Sequence, residues 1–303
     1  MKTDSLPTVI QTIESVARQL EAAGVSFGHG TTNAFDEAAW LALHALKLPL
    51  DDLDSVRNRP VAGVESARVA HLLIARIETR KPAAYLTQEA WLQGVSFYVD
   101  ERVIVPRSLI AELLTDADHQ GTLDYWLHED TTNVLDLCTG NGSLAILAAM
   151  AFPNVRVHGA DISADALAVA AINVAKHGLE GRIELLASDG LAQCSGMAGQ
   201  PYDLILCNPP YVNSTSMAAL PAEYRAEPAI SLAGGADGMD FIRPMLKAAP
   251  KVMSEDAVLV LEIGNEREHF ERAFPHLAAI WLETSAGNDQ VLLLQRSSLL
   301  DDF

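Results

Sequence analysis

The chain reads as an α/β protein: a doubly wound, mostly parallel sheet with an antiparallel last strand, preceded by a small N-terminal helical domain and a linking β-hairpin. Three observations predict this. From residue 133 to 264, five short apolar runs, "NVLDL", "VRVHGAD", "RIELLASD", "YDLILC" and "AVLVLEIG", are separated by helix-length segments, the rhythm of a sheet covered by helices on both faces. The last two runs, "AIWLE" (279–283) and "QVLLLQ" (290–295), are separated by only "TSAGND", which permits a hairpin and excludes a helical crossover. The first 90 residues carry helical periodicity instead.

In chain order, Ile10, Ile13, Val16 and Leu20 recur at three- and four-residue steps, as do Phe35, Ala39, Leu43 and Leu46, and each set gives one apolar stripe. A third helix is predicted from about Val64 to Thr79, with Val69, Leu72, Leu73 and Ile77 inward and Lys81-Pro82 marking its end. Residues 1–90 therefore form a helical domain. In "WLQGVSFYVDERVIVPR" (91–107), Val95, Phe97 and Val99 alternate, and Val103 and Val105 resume after the charged "DER", which predicts a linking hairpin. Residues 108–303 form the α/β domain, and "AQCSGMAGQP" (192–201) reads as a small-residue surface loop.

A chain of 303 residues with 49% hydrophobic content fills one large core and a smaller one. It has no basic and apolar leader and no apolar stretch of membrane-spanning length, so a cytoplasmic protein without membrane contact is expected. Cys138, Cys194 and Cys207 have no paired spacing, and the nine histidines include no metal-binding motif, so no metal is expected. Residues 1–110 carry a net charge of −2 and residues 111–303 a net charge of −17. An acidic larger half repels DNA and favours a basic macromolecular partner, although acidity also serves solubility alone.

The turn after the first sheet strand is "LDLCTGNGSLAI" (135–146), in which Thr139, Gly140, Asn141 and Gly142 precede a helix starting near Ser143. Glycines let the backbone approach a ligand, and the helix start offers free N–H groups. A dinucleotide fingerprint needs a third glycine where Ala145 stands, and Asp136 would repel a pyrophosphate. Asp136 instead suits a positive group, such as the amino group of a methionine moiety. Asp161 ends the second strand about 25 residues later, where a nucleoside site places an acid for the ribose hydroxyls; it equally suits a helix cap, with Ser163 the better capping residue. Asp189, in "ASDG", can read an exocyclic adenine amine or serve a plain turn. Three acids at one sheet edge describe a site for S-adenosyl-L-methionine.

The fourth strand ends in "NPPY" (208–211). Two prolines terminate a central strand and hold a stiff extended turn, yet that explains neither Asn208 nor Tyr211. The Asn208 side-chain oxygen and the Pro209 carbonyl can each accept one N–H of a planar –NH2 group, which aims its lone pair at a methyl sulfonium. Tyr211 can stack on the same group.

These motifs resemble the class I (Rossmann-like) S-adenosylmethionine-dependent methyltransferases, and within them the glutamine N5-methyltransferases with an N-terminal helical domain and an N-P-P-Y signature. The resemblance spans about residues 60–295. "AYLTQEAWLQGVSFYVDERVIVPRSLIAELL" (84–114), "DLCTGNG", "NPPYV" and "LPAEYRAEP" (220–228) are similar to the branch that modifies large-subunit ribosomal protein number three. The branch acting on peptide chain release factors usually has a proline, an acid and a threonine after the P-R pair, where this chain has Ser108-Leu109-Ile110. Cys138 stands where many relatives have glycine. The resemblance implies that Asn208, Pro209, Pro210 and Tyr211 bind the glutamine, and that Thr139, Gly140, Asp161, Asp189 and Asn208 line the cofactor. It also implies that Phe97 covers the methionine end, that the helical domain recognises substrate, and that the partner is a basic ribosomal protein of the large subunit. For Phe97 the residues alone favour core packing. The loop "LAGGADGMDF" (232–241) is expected to close over the site. The remaining alternatives are a release-factor methyltransferase and an adenine-N6 methyltransferase, since adenine presents the same –NH2 on a π-system.

Overall fold

The computed structural model describes residues 6–114, 122–127, 131–196 and 199–302, so Met197 and Ala198 of the expected surface loop lie outside the described residues. The chain divides into two compact units, Met1–Ala90 with Leu220–Glu227 and Trp91–Ala219 with Pro228–Phe303.

The first unit is helical: α1 (Val9–Ala22), α2 (Ala34–Leu46), α3 (Leu53–Val56), α4 (Gly63–Thr79) and α5 (Ala83–Thr87). Thr8 and Gln11 form a reciprocal capping box at the start of α1. Ile13, Val16 and Leu20 are buried as their spacing predicts. The α2 stripe is borne out at Leu43 and Leu46, which are buried, but is broader than expected: Phe35 is 40% exposed, while Ala34, Ala38, Leu41, Ala42 and Ala45 also face the core. The α4 stripe includes a residue that an apolar pattern passes over, because Arg76 is 0% exposed beside Val69 and Leu73.

Arg76 is buried because two carboxylates meet it. Its Nε donates to Glu37 Oε1 at 2.7 Å, one terminal nitrogen to Glu223 Oε1 at 3.2 Å and the other to the Ser26 carbonyl at 2.8 Å. Glu223 belongs to the excursion Leu220–Glu227, and its Oε1 also accepts the Ser26 amide at 3.1 Å and an Arg80 N–H at 3.4 Å.

The second unit opens with strands β1 (Ala90–Leu92) and β2 (Val95–Phe97), whose turn residues Gln93 and Gly94 both have positive φ. The hairpin is thus shorter and earlier than the sequence pattern implies. Val103 and Val105 are buried without forming a strand, because the "DER" segment folds on itself: Asp100 accepts from the Arg102 side chain at 2.7–3.1 Å and from the Tyr98 hydroxyl at 2.8 Å.

After α6 (Ile110–Leu114), the chain runs β3 (Asn133–Leu137), α7 (Ser143–Ala151), β4 (Arg156–Asp161), α8 (Ala164–Lys176), β5 (Ile183–Ala187), β6 (Tyr202–Cys207), α9 (Ser214–Ala219), α10 (Ile242–Ala248), β7 (Met253–Glu262), α11 (Arg267–Ala273), β8 (Ile280–Thr284), β9 (Gly287–Gln295) and α12 (Arg296–Asp302). The seven strands lie in the order β5-β4-β3-β6-β7-β9-β8, and β9 is antiparallel to both neighbours, as the short "TSAGND" gap predicts. Alternate residues feed two cores. Val134, Leu204, Leu206 and Val258 face α7, while Leu135, Ile205, Leu259 and Leu261 face α10 and α11. The strand order reverses at β3, so the open crevice falls at the carboxyl ends of β3 and β6.

Arg76→Ala is expected to lower the stability of the helical unit by about 3–5 kcal/mol, because it leaves Glu37 and Glu223 buried without their cation. Urea denaturation checks this against Arg57→Ala, which removes an exposed pair with Asp54 and should barely move the midpoint.

Candidate active site

Leu137 of β3 and Cys207 of β6 are parallel partners, so Cys138-Thr139 and Asn208 leave the sheet side by side. They open into a cleft with about 1040 Å³ of empty space, part of it open to solvent. Asp136, Thr139, Gly140, Asn141, Asp161, Asp189, Asn208 and Pro210 all line it.

Asp136 is fully buried. Its Oδ2 accepts the Thr139 hydroxyl at 2.5 Å and the Ala145 amide, inside the first turn of α7, at 3.0 Å. Its Oδ1 has no partner among the described residues. Burial, only partly offset by these bonds, pushes the carboxyl up to about 7. Asn141 repeats the pattern: its Oδ1 accepts the Ser143 amide at 3.2 Å, and its buried Nδ2 is also without a partner among the described residues.

Asp161 spans the turn. Oδ2 accepts the Gly140 amide and Oδ1 the Ser163 amide, each at 2.9 Å, while Ser163 caps α8 by accepting from Ala166. Burial raises the Asp161 carboxyl, and the backbone N–H groups oppose this. Asp189 lies two residues beyond β5, with its side chain exposed at the cleft edge.

Four expected residues do not line the cleft. Phe97 is 0% exposed and packs with Ile110, Leu113 and the His177 ring, so it is a core side chain. Gly142 serves helix packing: a Cβ there would lie 3.2 Å from the Ala170 Cβ, and φ is +82°, so glycine lets α7 close on α8. Pro209 is buried, and the half-buried Tyr211 donates its hydroxyl to Glu262 at 3.2 Å. The 232–241 loop begins paired with the segment after N-P-P-Y and ends at the cleft. Val212 donates to the Leu232 carbonyl at 2.8 Å and Gly234 to the Val212 carbonyl at 2.9 Å, and Phe241, the last residue of the loop, lines the cleft.

Sequence reasoning missed Ile104, Pro106, Arg107 and Ser108, which form one wall, and Ile162, Ile230 and Ser231, which border the opening. Glu262 was also passed over, although a carboxylate ending an apolar strand is the signal that marked Asp136 and Asp161. Cys138, the departure from glycine, has φ +63°, a left-handed conformation that costs a side-chain-bearing residue on the order of 1 kcal/mol.

A methyltransferase small domain model matches residues 121–223. The ribosomal protein uL3 glutamine methyltransferase of Bordetella pertussis (strain Tohama I) is 52% identical over 97% of this chain and 97% of its own. The chain belongs to this family. A second member, from Burkholderia pseudomallei (strain K96243), is 50% identical over 97% of each chain. The hMettl16 catalytic domain, solved in complex with MAT2A 3'UTR hairpin 1, is 15% identical over 84% of this chain and 90% of its own; its TM-score of 0.51 speaks for the fold alone.

S-adenosylmethionine is the family's cofactor, and the residues present fit it. The lone oxygen of Asp136 is an acceptor awaiting a cation, and the lone Nδ2 of Asn141 is a donor awaiting an acceptor. Below about pH 7 the Asp136 carboxyl is neutral and has to release a proton before it can pair with an amino group. Affinity for S-adenosylhomocysteine is therefore expected to fall as pH drops through about 7, approaching tenfold per unit, with proton release on binding visible by calorimetry. Asp136→Asn should bind weakly and remove that slope.

Proposed function

We propose that the protein transfers a methyl group from S-adenosylmethionine to the side-chain amide nitrogen of a glutamine in the large-subunit ribosomal protein uL3. The observation that carries this reading is the shared cleft of Asn208 and the Asp136–Asn141 turn at the carboxyl ends of adjacent strands. The names of the relatives that match nearly the whole chain support the same substrate.

When bound, S-adenosylmethionine supplies an electrophilic methyl group on a sulfonium. Asp136 Oδ1 and Asn141 Nδ2 would hold its amino-acid end, Asp161 its ribose and Asp189 its adenine amine. The chain's own task is to make an amide nitrogen nucleophilic, and delocalisation of the lone pair into the carbonyl is the obstacle. The Asn208 side-chain oxygen and the Pro209 carbonyl would take the two N–H bonds of the glutamine amide and fix the nitrogen's orientation. As positive charge grows on nitrogen, both acceptors strengthen their hold, and the surplus proton then passes to solvent. Orientation of this kind is worth about 7 kcal/mol or more, so no strong base is required. Tyr211 would present its ring to the amide plane.

The net −17 of residues 111–303 suits a basic ribosomal protein and disfavours a phosphate backbone. We assign substrate recognition to the helical unit, and the cytoplasm, where ribosomal proteins are made, to the reaction.

Asn208→Ala is expected to leave S-adenosylhomocysteine affinity within about threefold and to lower methyl transfer to uL3 at least 100-fold, on the order of the loss of one preorganised polar group. Tritiated-methyl incorporation measures it, and unchanged turnover would remove Asn208 from the mechanism. Raising salt from 50 to 300 mM should increase KM for uL3 while leaving kcat nearly constant, because screening weakens encounter rather than chemistry.

A further inference from the structure

The carboxylate of Glu262, 4% exposed, ends β7 where two segments bordering the cleft converge. Its Oε2 accepts the Ser108 hydroxyl at 2.6 Å and the Leu109 amide at 2.9 Å. Its Oε1 accepts the Tyr211 hydroxyl at 3.2 Å. Ser108 in turn accepts the Ile110 amide at 3.2 Å, which starts α6, and it lines the cleft. Two residues past Glu262, Gly264 brings backbone against the Tyr211 ring, where a Cβ would stand 2.5 Å from Cε2. The end of β7 therefore fixes the hydroxyl and one face of Tyr211, and from the same carboxylate the wall that begins at Ser108.

We propose that Glu262 is a positioning residue for methyl transfer, holding the Tyr211 side chain and the Ser108 wall of the cleft in one fixed relation to each other. The proposal rests on the reading that N-P-P-Y receives the substrate amide. Stability alone does not account for a carboxylate here. A buried acid costs desolvation, burial raises this carboxyl above its ordinary range, and an apolar side chain would end a core strand at less cost. Geometry does account for it. Both oxygens are used, one for each segment, and a reactive amide displaced by about 1 Å loses on the order of 100-fold in rate.

The test compares Glu262→Ala, Glu262→Gln and Tyr211→Phe for uL3 methylation, S-adenosylhomocysteine affinity, and the 19F resonance of Tyr211 in 3-fluorotyrosine-labelled protein, assigned by its loss in Tyr211→Phe. Glu262→Ala is expected to lower kcat at least tenfold, hold cofactor affinity within threefold, and shift and broaden the Tyr211 resonance. Glu262→Gln keeps an acceptor for Ser108 and a polar group for Tyr211, so it should recover kcat to within threefold of the parent. Unchanged kcat in Glu262→Ala, an equal loss of cofactor affinity, or an unmoved resonance would overturn the proposal. Should Glu262→Ala fail to fold, Ser108→Ala and Tyr211→Phe each cut one arm and should each lower kcat at least threefold; no loss in either would overturn it as well. If the parent protein transfers no methyl to uL3, the functional reading fails by itself, and the resonance in Glu262→Gln and Glu262→Ala still decides whether Glu262 holds Tyr211.

Discussion

Asp136 is buried at the end of the central strand with no cation beside it among the described residues, and much of the surrounding turn exists to keep it there. A desolvated carboxylate is costly, so one of its oxygens is satisfied by Thr139 and by an amide inside the first turn of α7. Thr139 is itself fixed by its backbone N–H, which donates a hydrogen bond to the Ala160 carbonyl at 3.0 Å. Gly142 lets α7 approach α8, and Asn173 of α8 reaches back to the Asn141 carbonyl at 2.9 Å while also exchanging bonds with the Tyr98 backbone. The turn is over-determined from three sides. The uncompensated part of the cost is concentrated on Oδ1, where a bound cation would relieve it.

The sheet was legible because its signals are local and repeated: apolar runs of strand length, helix-length gaps and one gap too short for a helix. The acids at strand ends were legible for the same reason, since a parallel sheet sends every carboxyl end to one edge. What escaped notice depends on partners far away in sequence. Arg76 looks like a surface residue until Glu37 and Glu223, 39 and 147 positions away, are brought to it. Glu262 meets Ser108 from 154 positions away. Val103 and Val105 suggested a strand because they alternate, and alternation carries no information about an Asp100–Arg102 pair that turns the backbone aside. Phe97, assigned by resemblance, went to the core, as its hydrophobicity alone implied.

The excursion Leu220–Glu227 gives chemical content to a motif that resemblance alone had marked. Glu223 meets Arg76 and Arg80, and the buried Glu227 side chain stands 3.4 Å from His29. Buried ion pairs contribute little net stability, but they penalise every arrangement in which one partner is left unpaired. The segment is thereby specified to one seat on the helical unit. It leaves the α/β unit nine residues after Tyr211, so the chain that carries N-P-P-Y continues directly into it.

A substrate amide and its acid differ by one group: glutamine offers two N–H donors where glutamate offers two anionic oxygens. The segment after β6 is built to distinguish them. Pro209 and Pro210 have no N–H, so their backbone presents acceptors only, and Asn208 adds another through its side-chain oxygen. Asp136 and Asp161 border the same cleft as carboxylates. On this segment a glutamate side chain would meet the proline carbonyls and the Asn208 oxygen, which repel its own oxygens, whereas an –NH2 group satisfies them. Two prolines that end a strand on steric grounds therefore also remove two backbone donors from the segment that meets the substrate amide, and Glu262, by anchoring Tyr211, fixes the residue that follows them.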